Sequence, residues 1–218
     1  MSALTLVIAN KSYSSWSLRP WLLMRQFGVD FEEIVIPLYR DGAAEKIRAY
    51  SPTGKLPCLI DGEAVVWESL AIVEHVAERF PDRPIWPDDP LARAFARSIA
   101  AEMHAGFQAL RDEFNMNVRR KILGREPSQA ARADVARIES IWSEARGRFG
   151  GDGPYLIGAF SAADAMFAPV ATRFETYGIE IGAEAKAYVE TILSTPAYLE
   201  WKEAALAEPW VIERYELA

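Results

Sequence analysis

The sequence predicts a small α/β domain followed by an all-helical one, and three observations carry the prediction. Up to about residue 80, short apolar runs alternate with segments of helical spacing. Residues 81–90 read PDRPIWPDDP, four prolines and three aspartates in an extended, helix-breaking composition. Beyond them apolar residues recur only every three or four positions. With 218 residues, 50% hydrophobic and 11% aromatic, the chain can bury the core of one large or two modest domains. We place the domains at 1–80 and 90–218, with a linker at 81–89.

Taken in order, ALTLVIA (3–9) is a compact apolar strand, LRPWLLMRQF (18–27) has helical spacing and ends at Gly28, and FEEIVIPL (31–38) reads as a strand, giving a β-α-β unit. In LPCLIDGEAVVWES two short strands flank Asp61-Gly62, a dipeptide suited to a tight hairpin. The helix SLAIVEHVAERF closes this half. Leu91, Phe95, Ile99, Met103, Phe107, Leu110, Phe114 and Val118 predict one long helix over 90–118, about 43 Å at 1.5 Å per residue. Val135, Ile138, Trp142, Ala145 and Phe149 mark a second, stopped by GGDGP. Met166, Phe167, Val170, Ala171 and Phe174 mark a third, and two shorter helices follow near 184–194 and 197–207.

Charge and composition exclude several functions. Lys and Arg total 24 against 31 Asp and Glu, a formal charge of −7, which repels nucleic acid and anionic membrane surfaces on average. The single Cys58 rules out an internal disulfide framework and any C-x-x-C pair, and its place after Pro57 on a strand marks it as core. The N-terminal apolar run lacks a basic flank and the length of a signal or spanning segment, so a soluble, cytoplasmic protein is expected. His75 and His104, the two histidines, fit no metal spacing and no serine-hydrolase arrangement, so no metal is expected.

The stretch NKSYSSWSLRPW (10–21) crowds four serines and a tyrosine into one strand-to-helix turn. Serines there usually cap the helix. Pro20 favours Ser17 as the cap, because proline is then held within the first turn, and this geometry leaves Ser14 and Ser15 free.

The order of elements, with GKLPCLIDGEAVVWESLAI at 54–72 and YLIGAFSAADAMFAPV at 155–170, resembles the glutathione transferase family along essentially the whole chain. Pro57 opening a strand, Glu68-Ser69 opening a helix about ten residues on, and the Ser161-x-x-Asp164 box together carry the resemblance. It implies a thioredoxin-like N-terminal domain, an all-α helical-bundle C-terminal domain, glutathione as co-substrate and a homodimer, with Tyr50 a candidate inserting aromatic. The turn is most similar to that of the zeta class, S-S-C-S followed by Arg; Ser14, Ser15, Ser17 and Arg19 match, while Trp16 replaces the cysteine associated with that class's isomerase chemistry.

A free thiol of pKa near 8.5 is only about 3% thiolate at pH 7. Lowering that pKa by about two units takes roughly 2.7 kcal/mol, and a hydroxyl donor supplies about 1.5 to 3 with up to about 1 more from a helix N-terminus. The resemblance points to Ser14 as that donor, then Ser15, with Tyr13 a further candidate.

By resemblance, Leu56-Pro57 is cis and presents the Leu56 backbone to a peptide running antiparallel; otherwise Pro57 simply starts an edge strand. Glu68 and Ser69 suit the ammonium and carboxylate of an amino-acid head group, or capping alone. Lys55, and less directly Arg40, are placed for the other carboxylate, or are solvated surface charges. Ser161 and Asp164 form a structural capping box. Met103, His104, Phe107 and Trp210, with Tyr215, are candidates for a second-substrate wall, although a Met and aromatic stripe is commonly core. Arg173 sits at a different spacing from Pro169 than the zeta-class substrate arginine, so that role is not transferred to it. The expected function is conjugation of glutathione to a small, largely apolar electrophile. The alternatives are a glutathione-dependent isomerase of the maleylacetoacetate isomerase type and a non-catalytic binding protein of the same fold.

Overall fold

The computed structural model describes residues 3–216. Its first part runs β1 (Leu4–Ile8), α1 (Ser15–Gln26), β2 (Phe31–Val35), α2 (Ala43–Tyr50), β3 (Cys58–Asp61), β4 (Ala64–Trp67) and α3 (Ser69–Arg79). The helical part follows with α4 (Pro90–Ala105), α5 (Gln108–Glu113), α6 (Gln129–Ala145), a π-helical turn (Arg146–Gly150), α7 (Ala162–Tyr177), α8 (Ala183–Leu193), α9 (Pro196–Ala207) and a short 3₁₀ turn (Glu213–Tyr215).

The four strands lie in the order β2-β1-β3-β4, with β1 parallel to β2 and antiparallel to β3, and β3 antiparallel to β4. β1 is apolar apart from the half-buried Thr5, because both of its faces are covered. Leu4, Leu6 and Ile8 enter the main core, while Val7 joins a smaller cluster with Ala43, Ile47 and Cys58 beneath α2. The hairpin turns at Gly62-Glu63, directly after Asp61, and Gly62 takes a left-handed φ of 60°. Cys58 is fully buried, its thiol pushed up to about 11 by burial, and it donates to the Tyr50 carbonyl at 3.4 Å. Tyr50 itself packs against this small cluster of its own chain.

α1 is the pivot of the molecule. Ser17 through Met24 are all buried, and the helix touches α3, α7 and α9. That buried run includes the polar Ser17 and the charged Arg19, so coverage on every side here does not make the helix apolar all round. It ends in a Schellman arrangement: Val29 N–H donates to the Met24 carbonyl at 2.8 Å and Gly28 N–H to the Arg25 carbonyl at 3.1 Å, with Gly28 at φ 63°. Truncating the fully buried Leu22 to Ala would cost about 2–5 kcal/mol.

Two expectations from the sequence are corrected here. The cap of α1 is Ser14, not Ser17: Ser14 is extended (φ −85°, ψ 90°) and its side chain accepts from Ser17 N. Pro20 therefore stands inside the helix, where its missing N–H removes one rung of the ladder. The second correction is the long helix over 90–118, which breaks after Ala105. Gly106 is extended, with φ −107° and ψ −165°, and Phe107 adopts a left-handed φ of 61°, turning its ring into the core before α5 begins. The Arg111 guanidinium closes this reversal by donating to the Met103 carbonyl and, at 3.1 Å, to that of His104, both at the C-terminal end of α4.

The linker is anchored. Ile85 and Trp86 are buried, and the Ile85 carbonyl accepts from Ala162 N, the first amide of α7, at 2.8 Å. α7 is the central helix of the second part, and Asp164 fixes its start. One Asp164 carboxylate oxygen accepts from Ser161 N–H and hydroxyl at 2.8 and 3.0 Å; the other accepts from Leu156 N–H at 3.1 Å and the Tyr188 hydroxyl at 3.0 Å. Burial lifts its pKa to about 6 against these four donors.

Candidate active site

The serine-rich turn resolves into one hydroxyl with an uncommitted proton and several structural ones, although Tyr13 and Ser14 line the same large cavity as Ser15. Ser12 is fully buried and donates to the Ala205 carbonyl at 2.8 Å. Ser17 accepts from Ala9 N at 3.0 Å, tying the end of β1 to the helix. Ser14 donates to Ser17 Oγ at 2.8 Å, so its proton is already committed. The Tyr13 hydroxyl donates to the Glu216 carboxylate at 2.5 Å, and burial together with that bond raises its pKa. Ser15 differs. It is the first residue of α1, half-buried on the wall of a large cavity, and its Oγ accepts from Arg173 Nη2 at 3.4 Å. Among the described residues nothing receives its proton.

Arg173 is one of three guanidiniums gathered behind this turn. It is almost wholly buried and donates to the Phe114 carbonyl at 2.7 Å and the Pro169 carbonyl at 3.1 Å; burial, with Arg111 adding repulsion, brings its pKa down to about 10. Arg19 is 1% exposed, donates to the Met166 carbonyl at 3.1 Å, and keeps Nη1 buried without a partner. Burial lowers its pKa first, and Arg111 and Arg173 lower it further. The Arg19 and Arg111 guanidinium carbons stand 4.3 and 4.7 Å from the Trp16 ring centroid. None of the three arginines forms an ion pair among the described residues, although Asp112 and Asp134 favour the charged form of Arg111.

The large cavity, about 1120 Å³, is unusually basic for a chain of net charge −7. Arg40, Lys55, Arg111, Arg125, Arg173 and Arg214 line it, against the carboxylates Asp112 and Glu113. A smaller cavity of about 160 Å³ adjoins it, and Trp16, Lys55 and Leu56 line both.

The small cavity gathers most of the residues expected to bind glutathione. Leu56-Pro57 is cis and leads into β3. Glu68 occupies the N-cap position of α3 with φ 68° and ψ 127°, a conformation costing about 1–3 kcal/mol in a residue other than glycine. Its side chain makes no cap bond, so the capping alternative does not describe it. Ser69, the first residue of α3, is 1% exposed and its hydroxyl is buried with no partner. Such an orphaned hydroxyl at an uncapped helix N-terminus is suited to an anionic group.

Of the residues expected to form a second-substrate wall, Met103, His104, Phe107 and Trp210 do not line the large cavity. Met103 and Phe107 are buried in the main core because the α4–α5 reversal turns both inward. Trp210 is not on the large cavity; its carbonyl accepts from Arg119 at 3.1 Å. His104 packs edge-on to Trp16 at 5.3 Å, with Nε2 3.5 Å from a Glu68 carboxylate oxygen. Tyr215 does line the large cavity, as do Arg111 and Arg173, the residues that sequence reasoning missed in this role. The one local signal for this cluster is the i, i+3 spacing of Trp16 and Arg19, which puts a guanidinium on an aromatic face.

Comparison with known proteins follows the same geometry. Residues 13–79 match the family model described as glutathione S-transferase, N-terminal domain. The chain is 28% identical over 184 residues to maleylacetoacetate isomerase of Pseudomonas aeruginosa, covering 79% of this chain and 82% of that protein. These matches make the chain similar to the glutathione transferase family, most directly over residues 13–79. It is also 36% identical over 100 residues to a probable maleylacetoacetate isomerase of Caenorhabditis elegans, a match covering 46% of each protein. Among solved structures, a glutathione transferase homolog from Burkholderia GL BGR1 with bound glutathione superposes with a TM-score of 0.72 at 21% identity, covering 94% of this chain and 98% of that one. That likeness shows the glutathione transferase fold, a thioredoxin-like domain followed by a helical one. Among the described residues, no helix is long and apolar enough to cross a membrane and no side-chain cluster is suited to a metal ion.

Proposed function

We propose that this protein binds glutathione in the small cavity, stabilises its thiolate with the Ser15 hydroxyl, and adds the sulfur to a small unsaturated carboxylic acid held in the large cavity. The observation that carries the reading is the Ser15 hydroxyl. It has an uncommitted proton, stands at a helix N-terminus, and is backed by a buried guanidinium. The family resemblance ranks Ser14 first, but the Ser14 proton is spent on Ser17 Oγ, so Ser15 takes the role here.

Ser69 Oγ and the first amides of α3 receive the γ-glutamyl carboxylate, Glu68 receives the ammonium, the Leu56 backbone pairs with the peptide, and Lys55, with Arg40 nearby, meets the glycyl carboxylate. The thiol proton leaves to solvent and Ser15 donates to the resulting anion. Arg173, by donating to Ser15 Oγ, polarises that hydroxyl and makes it a stronger donor. The thiolate electron pair forms the C–S bond at the unsaturated carbon, the displaced pair is accepted as enolate charge beside Arg111 and Arg173, and water supplies the closing proton. The basic lining of the large cavity supports an anionic acceptor over a largely apolar one.

A second reading has its own support. The sequence relatives include proteins named maleylacetoacetate isomerase, and addition followed by rotation about the new single bond and expulsion of the thiolate would isomerise an unsaturated acid without consuming glutathione. Product analysis separates the two: incubation with glutathione and a panel of unsaturated acids is expected to yield a thioether with loss of free thiol. Isomerised acid with thiol unchanged would assign the isomerase. Glutathione binding with turnover of no acid in the panel, charged or esterified, would contradict both and favour a binding protein.

A further inference from the structure

We propose that His104 is a positioning residue, reaching from the helical part to hold the Glu68 carboxylate where the ammonium of the γ-glutamyl group docks; this rests on the glutathione reading above. Glu68 needs such a holder. Its backbone is left-handed, its side chain is exposed and caps nothing, and its carboxylate lies 3.5 Å from His104 Nε2. That separation is just longer than a well-formed hydrogen bond and is of the kind that tightens when a ligand closes the site.

His104 is itself well fixed. It stands in the last turn of α4, its carbonyl accepts from Arg111 at 3.1 Å, and its ring packs against Trp16, over whose ring the Arg19 and Arg111 guanidiniums are stacked. The tautomer follows from the surroundings. Nδ1 is buried with no partner, and an unpaired buried N–H is costlier than an unpaired lone pair, so the proton sits on Nε2 and faces Glu68. Burial and the positive Arg19 and Arg111 lower its pKa against the opposing pull of Glu68, and the lowered pKa favours the neutral ring. A neutral donor orients the carboxylate without cancelling its charge, leaving that charge for the ammonium. With the ring removed, Glu68 is free to turn toward Lys55, which lines the same cavity.

The test compares glutathione with its deaminated analogue, which lacks the α-ammonium, in wild type, His104→Phe and His104→Gln. His104→Phe is expected to raise KM for glutathione about three- to tenfold, equivalent to roughly 0.7–1.4 kcal/mol, with the change carried by KM rather than kcat. KM for the deaminated analogue should stay within about twofold, and His104→Gln, which keeps an N–H donor, should recover most of the loss. Because the readout is a ratio of two ligands on one protein, damage to the fold would raise both values together. An equal rise for both ligands, or no rise for either, would overturn the proposal while leaving the glutathione site intact. Failure of wild type to bind glutathione would overturn the site and this inference with it. Should His104→Phe not fold, His104→Asn, too short to reach Glu68, is expected to give the same ratio.

Discussion

Removing the charge from the second substrate tests the arginine cluster most sharply. Arg173 is 5% exposed, has no carboxylate partner among the described residues, and lines the large cavity beside Ser15. A carboxylate about 4 Å from such a guanidinium gains roughly 4 kcal/mol at an effective dielectric of about 20. Part of that is lost in stripping water from the anion, leaving about 1.5–3 kcal/mol for a hydrogen bond to a charged group. The methyl ester of an accepted acid keeps the shape and loses the charge, so its kcat/KM should be about 10- to 150-fold lower. Arg173→Met should reduce that acid-to-ester ratio to within about fivefold. Arg173 also holds the Phe114 and Pro169 carbonyls, so absolute rates will fall for both substrates, and the ratio within one variant is the quantity to compare. Parallel steady-state assays on acid and ester suffice. A wild type that prefers the ester, or an acid preference that survives both Arg173→Met and Arg111→Met, would refute the assignment.

Other predictions concern the scaffold that holds the site. Asp164 has a folded pKa raised to about 6, so the stability linked to its proton is fully present below the unfolded aspartate value and is lost as pH rises through about 6. Relative to Asp164→Asn, wild type should gain up to about 3 kcal/mol between pH 7 and pH 3.5, measured by denaturant titration at several pH values. Gly106→Ala would put a Cβ 2.9 Å from the Glu102 carbonyl at the α4–α5 reversal and should cost about 1–3 kcal/mol, a melting shift of roughly 2–4 °C per kcal/mol. Ser14→Ala removes the N-cap of α1 and should cost about 1 kcal/mol in chemical denaturation while glutathione binding persists.

The parts of the fold that could be read from the chain are those whose signal is local. The apolar run of β1, Asp61-Gly62 at the hairpin and Gly28 past α1 each mark an element by their own chemistry. The break at Gly106-Phe107 escaped because Met103, Phe107, Leu110 and Phe114 keep helical spacing across it. All four remain in one core because the reversal turns the chain back onto the same surface. The cap of α1 was misassigned for a related reason. Pro20 argues locally for Ser17, but Ser17 is needed by the Ala9 amide at the end of β1, and that contact outweighs a proline inside the helix. Glu68, Ser69 and the Leu56-Pro57 step were legible as a group because a short sequence carries them to one cavity. Arg111 and Arg173 were not, since only the packing of α1 against α7 and the folding of α5 bring them to Ser15 and Trp16.

The measurement closest to the central claim is a titration of the bound glutathione thiol by its ultraviolet thiolate absorbance, in wild type, Ser15→Ala and Ser14→Ala. With a hydroxyl donor contributing about 1.5–3 kcal/mol, the bound thiol of the wild type should titrate about one to two units below 8.5. Ser15→Ala should return it to about 8 or above, and Ser14→Ala should leave it within about half a unit of wild type. An unshifted thiol in wild type, or a shift abolished by Ser14→Ala and untouched by Ser15→Ala, would contradict the assignment of Ser15 as the hydroxyl that stabilises the thiolate.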